Sequence, residues 1–562
     1  MLIKYLKILI IILLFFYQNS VYSKNINSSD FNSRDLSNYF SAINSYDNQK
    51  IDKALKFFNS SKHLISRDAL YFKRYIFSLV LDGKTKRAIK VLKNNLSNKN
   101  SDFFEAYLLL SLDSIQQKNF KKSKYYLGKL EKFKKENRYN LVIFESLKNF
   151  EYLFRNKKVL INKNTFGAIS LISRSFENCY LNNKKTEPYF LSIINNDQTD
   201  YSRYSFFYIN NLIKKKDFNQ AKKFTDQIDI LSSGLLISQT KNWIDNKNFK
   251  KFNEIFSCED ELDILGELFF VIANLFSIQK DFDSSNFFLN ISNFLNPEFK
   301  FNLTLLVDNY FINGNYKKAK IIMDKLESDD EIYYWYKVVK KANMISKEFN
   351  NEKSFNYINS KFQKIKNPSN KILFDMANIS KSFKKYELAV NYYNKIISKM
   401  NPDSILFKEI LYRRGSSFER LGRYKESDKD LLRSLEIYYD DAYVLNYLAY
   451  SWLERDHKIE TAINMLERAY EINNNDPFIL DSVGWAYYLV NDFPKAETFL
   501  KRAIKIMPDD PVVNDHYGDI LWKLDRKIEA SYYWQSVLNL EDTDEEMKKN
   551  INIKLLKGLK KI

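Results

Sequence analysis

Residues 477–510 read PFILDSVGWAYYLVNDFPKAETFLKRAIKIMPDD, and the segment that begins 34 residues later repeats the same pattern. Gly484 and Gly518 occupy equivalent places in the two segments. An alanine follows each glycine at plus 12, and apolar residues follow at plus 16 and plus 19. A fixed period of this length predicts repeated helix pairs. Small residues let the two helices of a pair approach, and stacked neighbours complete the core.

The same spacing continues upstream, with further copies around Gly415, Ala449 and Ala377. Residues at matching offsets are Phe418, Ser427, Leu431 and Ser434; Trp452, Ala462, Leu466 and Ala469; and Ala389, Tyr393 and Ile396. Weaker copies centre on Ala54, Ala88, Ser123, Ala221, Ser285 and Ala319, whereas residues 131–200 contain no clean copy. Only 11 Gly and 8 Pro occur in 562 residues, fewer turn residues than a sheet protein of this size would need. We therefore expect an all-α solenoid.

Residues 446–477, 480–511 and 513–540 resemble the C-terminal repeats of exported tetratricopeptide-repeat proteins of Gram-negative bacteria. The resemblance implies a right-handed α-α superhelical solenoid without a cofactor, and a scaffold or adaptor role in the cell envelope. It does not include the Lys and Arg set of the subtype that clamps chaperone C-termini. We predict a signal peptide at 1–23, degenerate helical repeats at 24–200, divergent repeats at 201–370, well-formed repeats at 371–542 and a C-terminal capping helix at 543–562.

In this family the first helix of each unit lines a concave groove, and the resemblance assigns particular positions of each unit to that groove. Counted from Gly484, the predicted partner-binding residues are Tyr412, Arg413, Asn446, Tyr450, Asp481, Trp485, Tyr488, Asp515, His516, Asp519 and Trp522. Aromatic residues offer rigid contact area, and carboxylates pair with amides or basic side chains of a partner. The alternative is that several of the aromatic side chains pack against neighbouring helices instead.

Catalytic signatures are missing from the sequence. It has three histidines, and no HExxH, CxxC or GxSxG motif. The string SLVLDGKT at 78–85 imitates the end of a phosphate-binding loop but has Ser78 where that loop needs glycine. Asp481, Ser482 and His516 could be drawn as a hydrolytic triad, but Ser482 stands on a helix without a strained turn or an oxyanion hole. We predict a protein that is not an enzyme, with no catalytic residues, metal or cofactor, and with a protein or peptide as its partner.

The N-terminus predicts export. Lys4 and Lys7 precede the apolar run 8–16, and Val21-Tyr22-Ser23 resembles a cleavage site. We expect a periplasmic protein, with an uncleaved anchor in the inner membrane as the alternative.

Cys179 and Cys258 are the only cysteines and lie 79 residues apart, more than two repeats. Because stacked helices are about 8–10 Å apart and a disulfide needs about 4.4–6.8 Å between Cα atoms, we expect two separate buried thiols. A disulfide in an oxidising compartment is the alternative.

The net charge of +19 is unevenly distributed. Residues 441–562 carry 16 Lys and Arg against 21 Asp and Glu, a net charge of −5, which leaves +24 for residues 1–440. The excess is diffuse, so we predict no nucleic-acid partner. The alternative function is an envelope-assembly factor whose basic N-terminal half contacts membrane or cell-wall glycan.

The last segment has a helical pattern of apolar residues with Lys554, Lys557, Lys560 and Lys561. It is expected to cap the array, and a membrane-surface helix is the alternative.

Overall fold

The computed structural model of the chain describes residues 33–160, 165–195, 202–229, 231, 233–326, 331–402, 404–541 and 543–559. Thirty α-helices and four short 3-10 helices make up the regular structure of these residues, and the predicted all-α solenoid class is confirmed. The predicted signal peptide lies outside the described residues. The chain divides into two compact units. The N-unit comprises residues 1–227 and 239–328, and the C-unit comprises residues 228–238 and 329–562.

The N-unit contains short helices joined by tight turns. They are α1 (Ser33–Asp47), α2 (Ile51–Ser60), α3 (Ala69–Leu81), α4 (Thr85–Asn94), α5 (Phe104–Gln116), α6 (Phe120–Leu130), α7 (Arg138–Asn156), α8 (Ala168–Tyr180), α9 (Thr186–Ile194), α10 (Arg203–Lys214), α11 (Phe218–Asp226), α12 (Leu235–Asp245), α13 (Lys250–Ile255), α14 (Glu261–Ile278), α15 (Phe282–Leu295), α16 (Leu303–Ile312) and α17 (Tyr316–Met323). The first four residues of α12 belong to the C-unit. The 3-10 helices are Lys62–Ser66, Lys99–Ser101, Glu131–Phe133 and Lys300–Asn302.

Helices that are distant in sequence share one core in the N-unit. α15 packs against α3 and α4, and α14 packs against α5, α7 and α8. The Phe77 and Phe287 rings stack with centroids 4.2 Å apart, and the Tyr139 and Phe276 rings lie 4.3 Å apart. Stacked aromatic pairs add to the gain from buried apolar area. The later helices of this unit therefore cover the earlier ones.

The two cysteines form a disulfide, so the expectation of separate thiols was wrong. Cys179 and Cys258 are both buried, with their Cα atoms 5.7 Å apart. Cys179 is the last residue but one of α8, and Cys258 lies in the turn between α13 and α14. The spacing of helix axes, on which the expectation rested, does not limit how closely a helix end and a turn can approach. The bond joins two parts of the N-unit.

The C-unit is built mainly from consecutive helix pairs. Its helices are α18 (Glu331–Glu348), α19 (Asn351–Phe362), α20 (Asn370–Ser382), α21 (Tyr386–Ile397), α22 (Ile405–Arg420), α23 (Tyr424–Ile437), α24 (Ala442–Leu453), α25 (Ile459–Ile472), α26 (Pro477–Leu489), α27 (Phe493–Ile506), α28 (Pro511–Lys523), α29 (Lys527–Val537) and α30 (Glu545–Lys557). We call α20, α22, α24, α26 and α28 the first helices of their pairs. From α22 onward, successive first helices lie side by side.

Local sequence sets where these helices begin and end. Asp476 caps α26 by accepting hydrogen bonds from the amides of Phe478 and Ile479, and proline at the first helical position suits a helix start. Asp510 caps α28 in the same way. Asn491 follows α26 with a φ of 63°, and the amide of Asp492 donates back to the carbonyl of Tyr487 at 2.9 Å. A left-handed residue of this kind ends a helix while satisfying its last carbonyls.

The two repeat glycines lie where paired helices come closest. A Cβ at Gly484 would lie 2.6 Å from Leu500 Cγ, and one at Gly518 would lie 2.5 Å from Trp534 Cδ1. Leu500 and Trp534 are fully buried. Any side chain larger than hydrogen would therefore push the second helix of the pair away. This is the close approach that the repeat pattern predicted.

The C-terminal helix α30 is part of the C-unit core. Ile551 is fully buried, and Leu555 and Leu559 pack against the same cluster of apolar residues. Leu556 on the opposite side is 83% exposed. Among the described residues, no helix has both the length and the apolar character needed to cross a membrane.

Candidate functional site

The predicted groove residues all lie on first helices α22 to α28. They form three groups, with Asn446 and Tyr450 of α24 between the first and the second. The first group is around Tyr412 on α22, the second around Trp485 on α26, and the third around Asp519 on α28. Because first helices of neighbouring pairs are adjacent, the groups follow one another along one face of the C-unit. We call it the concave face, the name that the family resemblance gives to the surface of the first helices.

Tyr412 and Arg413 begin this row. The Tyr412 ring meets Tyr447 of α24 edge to face, with centroids 5.8 Å apart. The Tyr447 hydroxyl donates to Glu419 at 3.0 Å. Arg413 donates to Glu409 one turn earlier in α22, at 2.5 Å. These side chains are partly exposed, and their charged groups are already paired within the chain.

Asn446 and Tyr450 follow on α24, both partly exposed. The Asn446 Oδ1 atom is buried, and among the described residues no hydrogen-bond donor reaches it. Burial raises the pKa of Tyr450, and Glu454 and Asp481 raise it further. The tyrosine therefore stays a neutral hydroxyl. Together the two residues place a polar side chain and an aromatic ring on the concave face.

Trp485 is the centre of an aromatic cluster. Its indole stacks on Tyr488 with centroids 4.6 Å apart, and on the His516 imidazole at 4.0 Å. The indole N–H donates to Glu454 at 3.0 Å. Trp485 stays partly exposed, whereas Tyr488 is buried. These contacts hold the indole in one orientation, so little side-chain entropy remains to be lost when a partner binds.

His516 and Asp481 form a buried pair beneath this cluster. The His516 Nδ1 atom lies 3.0 Å from both carboxylate oxygens of Asp481. Burial alone lowers the pKa of His516, but Asp481, Asp515 and Asp519 raise it by more, so the pKa lies above its usual value. Both side chains are more than 90% buried. The pair therefore supports Trp485 from below and offers a partner little direct contact.

Asp515 and Asp519 receive a cation from the last helix. Lys554 of α30 lies 2.6 Å from Asp515 and 2.8 Å from Asp519. Asp519 also accepts the indole N–H of Trp534 at 3.0 Å. Burial, with Asp515 nearby, raises the pKa of Asp519 to about 6, although Lys554 acts in the opposite direction. Lys554 thus pairs with both carboxylates at this end of the concave face.

The hydrolytic arrangement does not form. The Ser482 hydroxyl donates to the backbone carbonyl of Phe478 at 2.9 Å, while His516 pairs with Asp481. No group of three or more His, Cys, Asp or Glu side chains that could hold a metal occurs in the described ranges. Trp522, the last predicted groove residue, packs against Trp534 with centroids 5.3 Å apart.

Two lysines near this face were missed by the sequence analysis. Lys554 was assigned to the capping helix, and nothing in the pattern of a single helix indicates that it reaches across to α28. Lys381 lies near the end of α20, four residues after Ala377. Ala377 is the counterpart of Gly484 in its repeat, so Lys381 is the counterpart of Tyr488. Counting groove positions in that earlier repeat would have found it.

Comparison with known proteins finds a match to a family model over one helix pair of the C-unit. Residues 408–441 match the family model of the tetratricopeptide repeat. This segment covers most of α22 and all of α23. Over 110 residues the chain is 32% identical to TPR repeat-containing protein PA4667 of Pseudomonas aeruginosa. That match covers 20% of this chain and 18% of the relative, so the chain matches less than a fifth of the relative's length.

Solved structures of helical repeat proteins are also similar to parts of the chain. A thermophilic TPR protein of Thermus thermophilus is 18% identical, with a TM-score of 0.30, and the match covers 34% of this chain and 100% of that one. A tetratricopeptide repeat protein of Parabacteroides merdae is 15% identical, with a TM-score of 0.38, and the match covers 45% of this chain and 98% of that one.

Proposed function

We propose that this protein is a scaffold that holds an extended peptide or a partner helix on the concave face of the C-unit. The observation that carries the proposal is the oriented, partly exposed indole of Trp485, stacked on Tyr488 and His516 and bonded to Glu454. Rigid aromatic residues with a polar edge are the side chains that contribute most at protein interfaces. The tetratricopeptide pattern at 408–441 supports a role in protein binding.

The surroundings of Trp485 suit a peptide. Asn446, on the neighbouring first helix, is partly exposed and keeps a polar side chain on this face. Tyr450 and Tyr412 add partly exposed rings along the same face. A peptide needs this mixture of apolar contact and a few fixed polar groups, because its own backbone must remain hydrogen bonded.

Site-specific photo-crosslinking in native cells tests the proposal. A photoreactive residue in place of Asn446 should capture a defined partner. The same residue in place of Tyr532, which is 71% exposed on second helix α29, should not. With the purified partner, Trp485→Ala should weaken binding by at least about 2 kcal/mol, while the circular dichroism stays unchanged. Wild-type affinity in a folded Trp485→Ala chain would refute the proposal.

We further propose that the protein works outside the cytoplasm, as a periplasmic component of the cell envelope. The apolar N-terminal run and the Cys179–Cys258 disulfide support this location, because structural disulfides persist mainly in oxidising compartments. Fractionation of native cells tests it, and recovery of the chain with the cytoplasmic proteins would contradict it. An uncleaved N-terminus would instead leave the chain in the inner-membrane fraction, at its full mass.

The excess positive charge of residues 1–440 favours a second candidate function, contact with an anionic membrane or with cell-wall glycan. The full chain should then sediment with vesicles of anionic lipid or with peptidoglycan, and about 0.5 M salt should release it, since such contacts are screened at a short Debye length. A chain that stays in the supernatant at low salt excludes this candidate.

A further inference from the structure

An open cavity lies between α7, α8 and the start of α9 in the N-unit, and we call it the α8 cavity. Its volume is about 360 Å³, at the lower end of the roughly 300–1,000 Å³ that small-molecule sites occupy. Five residues of α8 line it at the positions i, i+3, i+4, i+7 and i+8, which share one helix face. They are Ser170, Ser173, Arg174, Glu177 and Asn178. Polar side chains from the neighbouring elements are Ser146, Asn149, Asn183, Lys185 and Tyr189.

The α8 cavity lies where the repeat pattern of the sequence fails. Residues 131–200 contain no clean copy of the repeat, and the cavity is lined by residues between Ser146 and Tyr189. In a repeat array, small and apolar residues pack each helix against its neighbours. One face of α8 instead carries hydroxyl, guanidinium, carboxyl and amide groups, which such packing does not need. Departures from a local sequence rule are expected at functional sites.

Glu177 is the buried acid of this cavity. Its side chain is 5% exposed, and among the described residues no hydrogen bond or ion pair reaches its carboxyl group. Burial raises the pKa of Glu177 to about 7, and Arg174, one turn earlier in α8, opposes this shift only in part. A buried carboxyl group without a partner is unfavourable, and a cationic donor placed beside it would favour the ionised form.

Other buried glutamates of the N-unit have a basic partner within the chain. The pairs are Glu151 with Arg155, Glu261 with Lys118, and Glu267 with Arg203. Glu177 lines the cavity instead, so its partner can come from a molecule that enters there.

The positive charges of the α8 cavity lie nearer to solvent. Arg174 and Lys185 both line the cavity and are exposed. Tyr189 is the remaining titratable side chain of the lining, and α7 contributes Ser146 and Asn149, which carry no charge. The cavity thus has a negative group inside and positive groups at its mouth.

We propose that the α8 cavity binds a free α-amino acid, whose ammonium group pairs with Glu177 and whose carboxylate pairs with Arg174 and Lys185. An ammonium group offers three donors, and a guanidinium group matches the two oxygens of a carboxylate. A ligand with a single charge would leave either the buried acid or the two cations without a partner. The volume suits a small molecule of this class, and the site lies in the N-unit, apart from the concave face.

Thermal unfolding and isothermal titration calorimetry of the full chain, with the twenty free amino acids as probes, test the inference. At least one amino acid should bind and raise the unfolding temperature. Its N-acetyl derivative lacks the ammonium group, and its amide lacks the carboxylate. Each derivative should bind at least about tenfold more weakly than the parent, because a charged hydrogen bond is lost. The inference is overturned if no amino acid binds, or if either derivative binds as well as its parent.

Variants of the lining assign the two charges. Glu177→Gln keeps the shape of the side chain without its charge and should weaken binding at least about tenfold, with an unchanged circular dichroism spectrum. Glu298→Gln, an exposed position of the N-unit outside the cavity, should bind like the wild type. Lys185→Gln should reduce the difference in affinity between the amino acid and its amide. Lys184→Gln, which removes the exposed neighbour outside the lining, should leave that difference unchanged.

The pH dependence provides a measurement that needs no variant. The ammonium group of a free amino acid stays protonated from pH 6 to pH 8. Over this range Glu177, with a pKa of about 7, changes from about one-tenth to about nine-tenths ionised, so the affinity of the wild type should rise about tenfold. Glu177→Gln should bind weakly and equally at both pH values. An amino acid that binds the wild type equally at pH 6 and pH 8 would overturn the pairing with Glu177. Neither result would bear on partner capture at Asn446, which lies in the C-unit.

Discussion

Gly484→Ala should destabilise the C-unit, although alanine is the better helix former. Inside α26 the substitution gains about 1 kcal/mol in helix propensity. The new Cβ would lie 2.6 Å from Leu500 Cγ, 3.2 Å from the Leu500 amide nitrogen and 3.3 Å from the Ala496 carbonyl oxygen. Two of these atoms belong to the backbone of α27, so the helices must separate. Overpacking costs about 1–3 kcal/mol, and contacts this short place the cost near the upper end. We expect a net loss of about 2 kcal/mol.

Urea unfolding followed by tryptophan fluorescence measures the effect, because five of the six tryptophans lie in the C-unit. Gly128→Ala in α6 is the matched control. No atom outside its own local helix backbone lies within 4 Å of a Cβ at Gly128. There the same substitution should stabilise the N-unit by about 0.5–1 kcal/mol, measured by circular dichroism.

A double-mutant cycle with Leu500 isolates the steric contribution. Leu500→Ala alone should cost about 2–5 kcal/mol, because it empties a fully buried site. In the double variant the clash with Cγ is gone. The two changes together should therefore cost about 1–2 kcal/mol less than the sum of the single losses. The reasoning fails if Gly484→Ala is as stable as the wild type, or if the two effects simply add.

Three further predictions concern the ionic pairs and the disulfide. Asp481→Asn should cost about 3–5 kcal/mol near pH 6, because it leaves His516 buried without a counter-charge. The pKa of His516 is raised in the folded protein. Its pairing with Asp481 therefore stabilises the fold fully below the unfolded pKa of about 6.5, and this stabilisation is lost as the pH rises through the folded pKa. The loss of unfolding free energy in Asp481→Asn, measured by urea unfolding, should thus be smaller at pH 9 than at pH 6. Equal losses at the two pH values would contradict the pairing of His516 with Asp481. Lys554→Met should destabilise the C-unit at pH 8 and do so less below about pH 6, where Asp519 binds a proton; a loss independent of pH would exclude this ion pair. Cys179→Ser should lower the free energy of unfolding of the N-unit by about 2–5 kcal/mol without moving the tryptophan-monitored transition. Free thiols in peptide maps of the unreduced wild type would contradict the disulfide.

The repeat pattern predicted the helix pairs because it records contacts between neighbours in the chain. A glycine, an alanine 12 residues later and a large apolar residue at plus 16 belong to two helices joined by one short turn. Such a contact imposes the same requirement in every copy. The caps behave alike, since Asp476 bonds amides two and three residues ahead.

The same period gave the sequence positions of the predicted groove residues. It did not show whether their side chains are exposed. Asp481, His516 and Asp519 were expected to face a partner, and they lie buried in ion pairs within the chain. Partner binding by the predicted groove residues stays a prediction. Trp485, which remains partly exposed, owes its orientation to Glu454 in the preceding pair and His516 in the following one.

Fold class, repeat period and the small residues at the helix contacts were thus readable from the chain alone, because they depend on residues that are close in sequence. The pairing of Cys179 with Cys258, the reach of Lys554 to Asp519 and the hydrogen bond of Lys381 to Ser416 required the folded molecule. Each depends on how far a side chain extends from one element to another, a distance of a few ångströms that a periodic pattern does not specify. The electrostatic environment of a charged side chain depends on its distances to all neighbouring charges. These distances are known only once the whole fold is in place.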